Sequence, residues 1–139
     1  MIICGLDYGE KYIGVAFSDE SETIAGAHGV VVRDGRGNWL QELKKLFEER
    51  RVLCLVVGRP ITMSGQEGYA TDRVAEFIDQ IKKVSPLQVE LHDERMTTLE
   101  AERYLRETPV SGTKRRSKVN QLAAQILLQS YLDQRKNKK

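Results

Sequence analysis

Residues 2–19, Ile2-Ile3-Cys4-Gly5-Leu6-Asp7-Tyr8-Gly9-Glu10-Lys11-Tyr12-Ile13-Gly14-Val15-Ala16-Phe17-Ser18-Asp19, decide the architecture of this chain. Two short β-prone runs, Ile2 to Leu6 and Tyr12 to Phe17, flank a glycine-bearing turn, the pattern of an antiparallel hairpin. Apolar residues occupy both parities of the first run, which predicts a strand covered on both faces and central in its sheet. Asp7 stands where that strand ends. A carboxylate there costs desolvation free energy unless something cationic meets it: a metal ion, a lysine or a helix N-terminus. Gly5, Gly9 and Gly14 leave the backbone around it bare, so a phosphate or a nucleic-acid strand can come close.

Outward from the hairpin, Ala27 to Val32 reads as a third strand, closed by the turn Asp34-Gly35-Arg36-Gly37. Asn38 takes the N-cap position, and Trp39, Leu40, Leu43, Leu46 and Phe47 at helical spacing give an amphipathic helix to about Arg51. Val52 to Val57 is a continuous apolar strand ending at Gly58-Arg59-Pro60, followed by a loop to about Gly68. Val74, Phe77, Ile78, Ile81 and Val84 mark a second helix stopped by Ser85-Pro86. Leu87, Val89 and Leu91 then alternate as a fifth strand that ends at His92-Asp93-Glu94-Arg95. Thr97 with Glu100 matches a capping box, so a short helix is expected to about Glu107. Thr108 to Ser117 has Pro, Gly, Ser and cations but no apolar period, and reads as a mobile basic loop. A final helix is expected from about Lys118 to Arg135. A meander followed by alternating helices and strands implies an α/β fold, a mixed five-stranded sheet with helices on its faces.

At 139 residues, 40% hydrophobic and 30% charged, the composition fits one soluble domain spanning the whole chain. The apolar runs are too short to span a bilayer and no signal-peptide pattern opens the sequence, so a cytoplasmic protein without a membrane partner is expected. Cys4 and Cys54 fall inside strands with no CxxC or Cys/His companions, which points to buried thiols rather than a zinc site or a disulfide. Charge is uneven. Residues 103–139 hold ten Lys or Arg against Glu107 and Asp133, so they carry +8 while the preceding residues carry −6. An acidic body with a basic end suits a protein that holds metal ions in one place and a polyanion in another, although a solvated helix face with a Lys-rich end reads equally well.

Chemistry concentrates at Asp7, at the pair Asp93 and Glu94, and at Asn120. Asn120 shares a helix face with Ala123, Ala124 and Leu127, and the two alanines let that helix sit close to the sheet, where Asn120 can reach Asp7. The plainer reading makes Asn120 a first-turn polar residue satisfying backbone groups. Likewise, Asp93-Glu94-Arg95 can be an exposed turn with a local ion pair. Carboxylates drawn from separate elements are what Mg²⁺ or Mn²⁺ requires, because hard cations take oxygen ligands. A pair of such ions would clamp the attacking and leaving oxygens of a phosphodiester hydrolysis.

Gly5-Leu6-Asp7-Tyr8-Gly9 with Gly14-Val15-Ala16 and Ser18-Asp19, Val57-Gly58-Arg59-Pro60, Asp93-Glu94-Arg95-Met96-Thr97-Thr98, and Ala123-Ala124 with Ile126-Leu127 together resemble the YqgF/RuvX family. Those are Holliday-junction-resolvase-like nucleases of the RNase H-like superfamily, linked to maturation of the 5′ end of pre-16S rRNA. The resemblance runs from Ile3 to about Asp133. It implies an RNase H-like fold with strand order 3-2-1-4-5 and strand 2 antiparallel, and divalent-metal nuclease chemistry on structured RNA or branched DNA. Asp7 and Glu94 would ligate the metal with Asp93 beside them, and Asn120 would complete the catalytic set. Arg95 and Thr97 would position phosphate or brace the acids. Lys11, Arg59, Arg95, Lys114, Arg115, Arg116 and Lys118 would neutralise backbone phosphates. The family usually carries Asp where this chain has Asn120. An amide oxygen ligates a hard cation without contributing charge, so three outcomes stay open: reduced activity, compensation by Asp93 or Asp19, or a binding module that does not cut.

A third reading takes the hairpin as the phosphate loop of an actin-like or sugar-kinase ATPase. Those enzymes close two such domains around ATP, whereas this chain has length for one. Symmetrical junction resolution would call for a dimer, whereas trimming one RNA end would not, so the expected state is a monomer or weak homodimer.

Overall fold

Strand β1 (Ile2–Asp7) is central because each of its faces meets an apolar layer, and Ile3, Cys4 and Leu6 are wholly buried. The structure is a computed structural model and describes residues 1–33, 35, 38–59, 69–93, 103, 106, 107 and 113–137. After β1 come β2 (Tyr12–Ser18), β3 (Ala25–Val32), α1 (Trp39–Glu49), β4 (Val52–Arg59), α2 (Tyr69–Val84), β5 (Gln88–Asp93) and α3 (Thr113–Asn137). The sheet order is β3-β2-β1-β4-β5, as expected. Strand β2 is antiparallel to both of its neighbours, while β4 is parallel to β1 and to β5.

Alternation sorts the core into two layers. On one face Cys4, Leu6, Ile13, Val15, Phe17, Leu55 and Val57 meet Trp39, Leu43 and Phe47 of α1 and Val74, Phe77 and Ile81 of α2. On the other, Ile3, Ala16, Ala25, Cys54 and Val56 meet Ala124, Leu127, Leu128 and Leu132 of α3. Truncating a fully buried side chain such as Phe77 to Ala would cost about 3–5 kcal/mol. The second layer is thinner because its sheet face carries Gly5, Gly14 and Ala16. A Cβ on Gly5 would stand 2.8 Å from the Leu128 Cβ, and one on Gly14 would stand 1.9 Å from the Asn120 backbone oxygen. Helix α3 therefore rests almost on the strand backbone.

Helix α3 starts at Thr113, not Lys118, so residues 113–117 are helical rather than part of a loop. Lys and Arg are good helix formers even where no apolar period announces them. Asn38 does precede α1, but with helical dihedrals (φ −77°, ψ −13°) and no side-chain capping bond; its carbonyl accepts the Glu42 N–H at 3.0 Å. Strand β3 begins at Ala25, two residues before the expected start, and β4 extends to Arg59. The expected short helix from Thr97 lies mostly, and the loop after Arg59 up to Gly68 wholly, outside the described residues.

Candidate functional site

The C-terminal ends of β1, β4 and β5 point the same way, and Asp7 closes the first of them with only 6% of its surface exposed. Gly5 faces α3, so Asp7, two residues on, faces α3 as well. Its register partner is Gly14, whose bare Cα lies under the Asn120 backbone. Asp7 and Asn120 thus share one sheet face and one level.

Asn120 is not a first-turn residue, because α3 begins seven residues earlier. Its Nδ2 donates to the Tyr12 carbonyl at 2.8 Å and stands 2.9 Å from where a Gly9 Cβ would be. That bond fixes the amide: nitrogen toward the hairpin, Oδ1 turned away from the Tyr12 carbonyl and carrying no charge.

Asp93 ends β5 and pairs with Arg59 in register. The preceding His92 faces α3, where its Nε2 lies 3.0 Å from the Ser130 Oγ. Strand alternation therefore points Asp93 to the sheet face opposite Asp7, with β4 between them, which separates rather than joins the two carboxylates. Asp19 compensates for nothing at Asp7. It lies past the far end of β2, where it accepts hydrogen bonds from the Ser21 Oγ (2.6 Å), the Thr23 N–H (2.8 Å) and the Ile24 N–H (3.1 Å). Those donors, the serine hydroxyl foremost, hold its carboxyl at about 2. Among the described residues no group of three His, Cys, Asp or Glu is arranged to hold a metal ion.

Glu94, Arg95 and Thr97 lie outside the described residues, as do the side chains of Arg59, Lys114, Arg115 and Arg116. Lys11 is exposed in the hairpin turn, its ammonium 5.7 Å from the Tyr12 ring centre. Lys118 is exposed on α3. Asn120 sits at the Asp7 level while Leu128 lies over Gly5, so the seven residues of α3 before Asn120 project roughly 10 Å beyond the strand end. That overhang carries Lys114, Arg115, Arg116 and Lys118 on the positive end of a helix with no acidic residue in its first turn.

One neighbour of the hairpin turn escapes a reading by motif. Arg33 follows β3, and its N–H donates to the Lys11 carbonyl at 2.8 Å while its Nη1 donates to the Gly9 carbonyl at 3.4 Å. The only trace in the sequence is register: a β2–β3 hairpin that pairs Tyr12 with Val32 sets Arg33 against Lys11.

A family model described as RuvX, Holliday junction resolvase, matches residues 1–134. The "Putative pre-16S rRNA nuclease" of Thermoanaerobacter pseudethanolicus is 40% identical over 139 residues, covering 99% of this chain and 100% of the relative. The protein of the same name from Clostridioides difficile is 40% identical over 131 residues, 94% of this chain and 93% of the relative. Among solved structures, Thermus thermophilus RuvC in complex with a Holliday junction substrate superposes with a TM-score of 0.57 at 15% identity, covering 98% of this chain and 96% of that one. Likeness at that identity speaks to the fold, which with this strand order is RNase H-like.

Proposed function

This chain belongs to the RuvX family, and on that premise we propose that it is a divalent-metal-dependent nuclease that hydrolyses phosphodiester bonds in processing the 5′ end of pre-16S rRNA. The observation that carries this reading is Asp7: a nearly buried carboxylate at the end of the central strand, facing the α3 level from which Asn120 projects. An oxygen donor set of this kind fits a hard cation, Mg²⁺ or Mn²⁺. Asp7 and Glu94 would hold it, with the Asn120 Oδ1 as a neutral third oxygen; Asp93, on the other sheet face by alternation, is left out of that set. When bound, the ion supplies an activated water and stabilises the leaving oxygen.

Around that centre the chain's own groups bind and orient. Lys11 on the turn, Arg59, Arg95, and Lys114, Arg115, Arg116 and Lys118 on the α3 overhang neutralise phosphates on either side of the scissile bond, a sequence-independent contact suited to structured RNA or branched DNA. Thr97 and Arg95 brace the phosphate. Work on ribosomal RNA implies a cytoplasmic protein, and trimming a single end implies a monomer or weak homodimer. No described helix is long and apolar enough to cross a membrane.

The test is incubation of wild type and Asp7→Asn with a precursor rRNA 5′ fragment and Mn²⁺. Cleavage by wild type that falls at least about 100-fold in the variant supports the reading; equal or undetectable cleavage by both overturns it. A second reading, a nucleic-acid-binding module with weak or no catalysis, is favoured by the Asn120 amide, which donates to Tyr12 and brings no negative charge to the site. Equal RNA binding by both proteins without cutting would establish it.

A further inference from the structure

The turn that follows Asp7 is gripped from both faces of the sheet. From the α3 side the Asn120 Nδ2 holds the Tyr12 carbonyl. From the α1/α2 side Arg33 holds two more carbonyls, Lys11 through its backbone N–H and Gly9 through its guanidinium. That guanidinium sits in an aromatic enclosure: its carbon is 4.8 Å from the Trp39 ring centre, 5.0 Å from Tyr8 and 5.9 Å from Phe77. The rings support one another, Trp39 stacked on Phe77 at 5.5 Å and Tyr8 tilted against Phe77 at 5.0 Å.

A cation in this position is costly. Its Nε is buried without a hydrogen-bond partner among the described residues, so part of the desolvation is uncompensated. Ring faces recover some of it through cation–π attraction. If filling space were the whole purpose, a methionine or leucine would fill the enclosure without that cost. What such residues lack is a donor that reaches the Gly9 carbonyl. Tyr8, one wall of the enclosure, is also the residue next to Asp7.

We propose that Arg33 is a positioning residue that acts through the Tyr8–Lys11 turn to fix the orientation of the Asp7 carboxylate. The inference rests on the nuclease reading of Asp7 and adds a residue to which no motif points. It makes Trp39 of α1 and Phe77 of α2 the rigid backing of the turn, so that the strand end carrying Asp7 is anchored to the α1/α2 layer through Arg33 and to the α3 layer through Asn120.

The variants are Arg33→Met, which keeps the enclosure filled without a donor, and Arg33→Lys, which keeps charge and one donor. Amide exchange by mass spectrometry on peptides covering residues 8–12, Mn²⁺ binding by calorimetry, and cleavage kinetics are read together with the melting temperature. In Arg33→Met, exchange in residues 8–12 should rise and Mn²⁺ affinity and kcat should fall, each about three- to tenfold, with KM for the RNA unchanged; Arg33→Lys should recover part of each. Wild-type exchange in residues 8–12 of Arg33→Met overturns the proposal whatever the activity. So does a uniform rise across β1, β2 and α1 with kcat falling in step with the melting temperature, since that is loss of packing alone. If wild type itself neither binds Mn²⁺ nor cuts, the nuclease reading fails on its own account, and Arg33 then has no metal-bearing Asp7 to orient, which overturns this proposal too.

Discussion

Gly14 lies directly beneath Asn120: a Cβ added to Gly14 would stand 1.9 Å from the Asn120 carbonyl oxygen. The obstacle is helix backbone, which cannot rotate out of the way. Gly14→Ala must therefore lift α3 from β2 or bend the strand, and overpacking of this kind costs about 1–3 kcal/mol or more. Urea denaturation should find the variant less stable by at least that amount. A wild-type midpoint would mean that the helix lies farther from the hairpin than described.

Asn120→Asp replaces a donor with an oxygen that faces the Tyr12 carbonyl, now 2.8 Å from Nδ2. Without metal the variant should be destabilised by about 1–3 kcal/mol, the cost of an acceptor left against an acceptor. On the proposed metal reading, Mn²⁺ should narrow the gap, because an added carboxylate would strengthen a site that binds only the folded state. Melts in EDTA and in Mn²⁺ measure both effects, and equal melting temperatures in EDTA would show that the amide donor contributes nothing.

Acid stability should carry the signature of Asp19. Its folded pKa of about 2 is below the ordinary 3.8, so its contribution is fully present above 3.8 and is lost as pH falls through about 2. Urea midpoints of wild type and Asp19→Asn, followed by circular dichroism from neutral to acid pH, should therefore differ most above 3.8 and converge as pH falls through about 2. Parallel curves would remove the Ser21, Thr23 and Ile24 hydrogen bonds as the cause.

Neither cysteine should react in the native protein. Burial pushes the Cys4 thiol pKa well up, Cys54 nearby adds to the shift, and burial raises Cys54 in turn. With both thiols buried and protonated, a thiol-specific reagent at mildly alkaline pH should label them only as fast as the chain unfolds. Rapid labelling of either would show an opening of the central strands.

The sheet was legible because its signals are local. Double-parity apolar runs at β1 and β4, glycine turns and helical spacing in α1 and α2 are each contained within a dozen residues. The first turns of α3 were not, since Thr113-Lys114-Arg115-Arg116 shows no apolar period in the sequence. Of the candidate site, Asp7 was legible as a carboxylate standing at the end of a buried strand. The hydrogen bond from Asn120 and the enclosure of Arg33 depend on Tyr12, Gly9, Tyr8, Trp39 and Phe77, partners that only the folded chain assembles. Adjacency of Asp93 to Glu94 in the chain says nothing about which side of a strand a carboxylate faces; the register of β4 and β5 does.

Trp39 is the chain's sole tryptophan, and it lies against the Arg33 guanidinium and the Phe77 ring. Emission excited at the red edge of the absorption band therefore comes from a single indole, packed against a guanidinium that also touches the turn behind Asp7. Any loosening of that turn should register as a change in intensity or colour, giving a label-free optical reporter already built into the polypeptide.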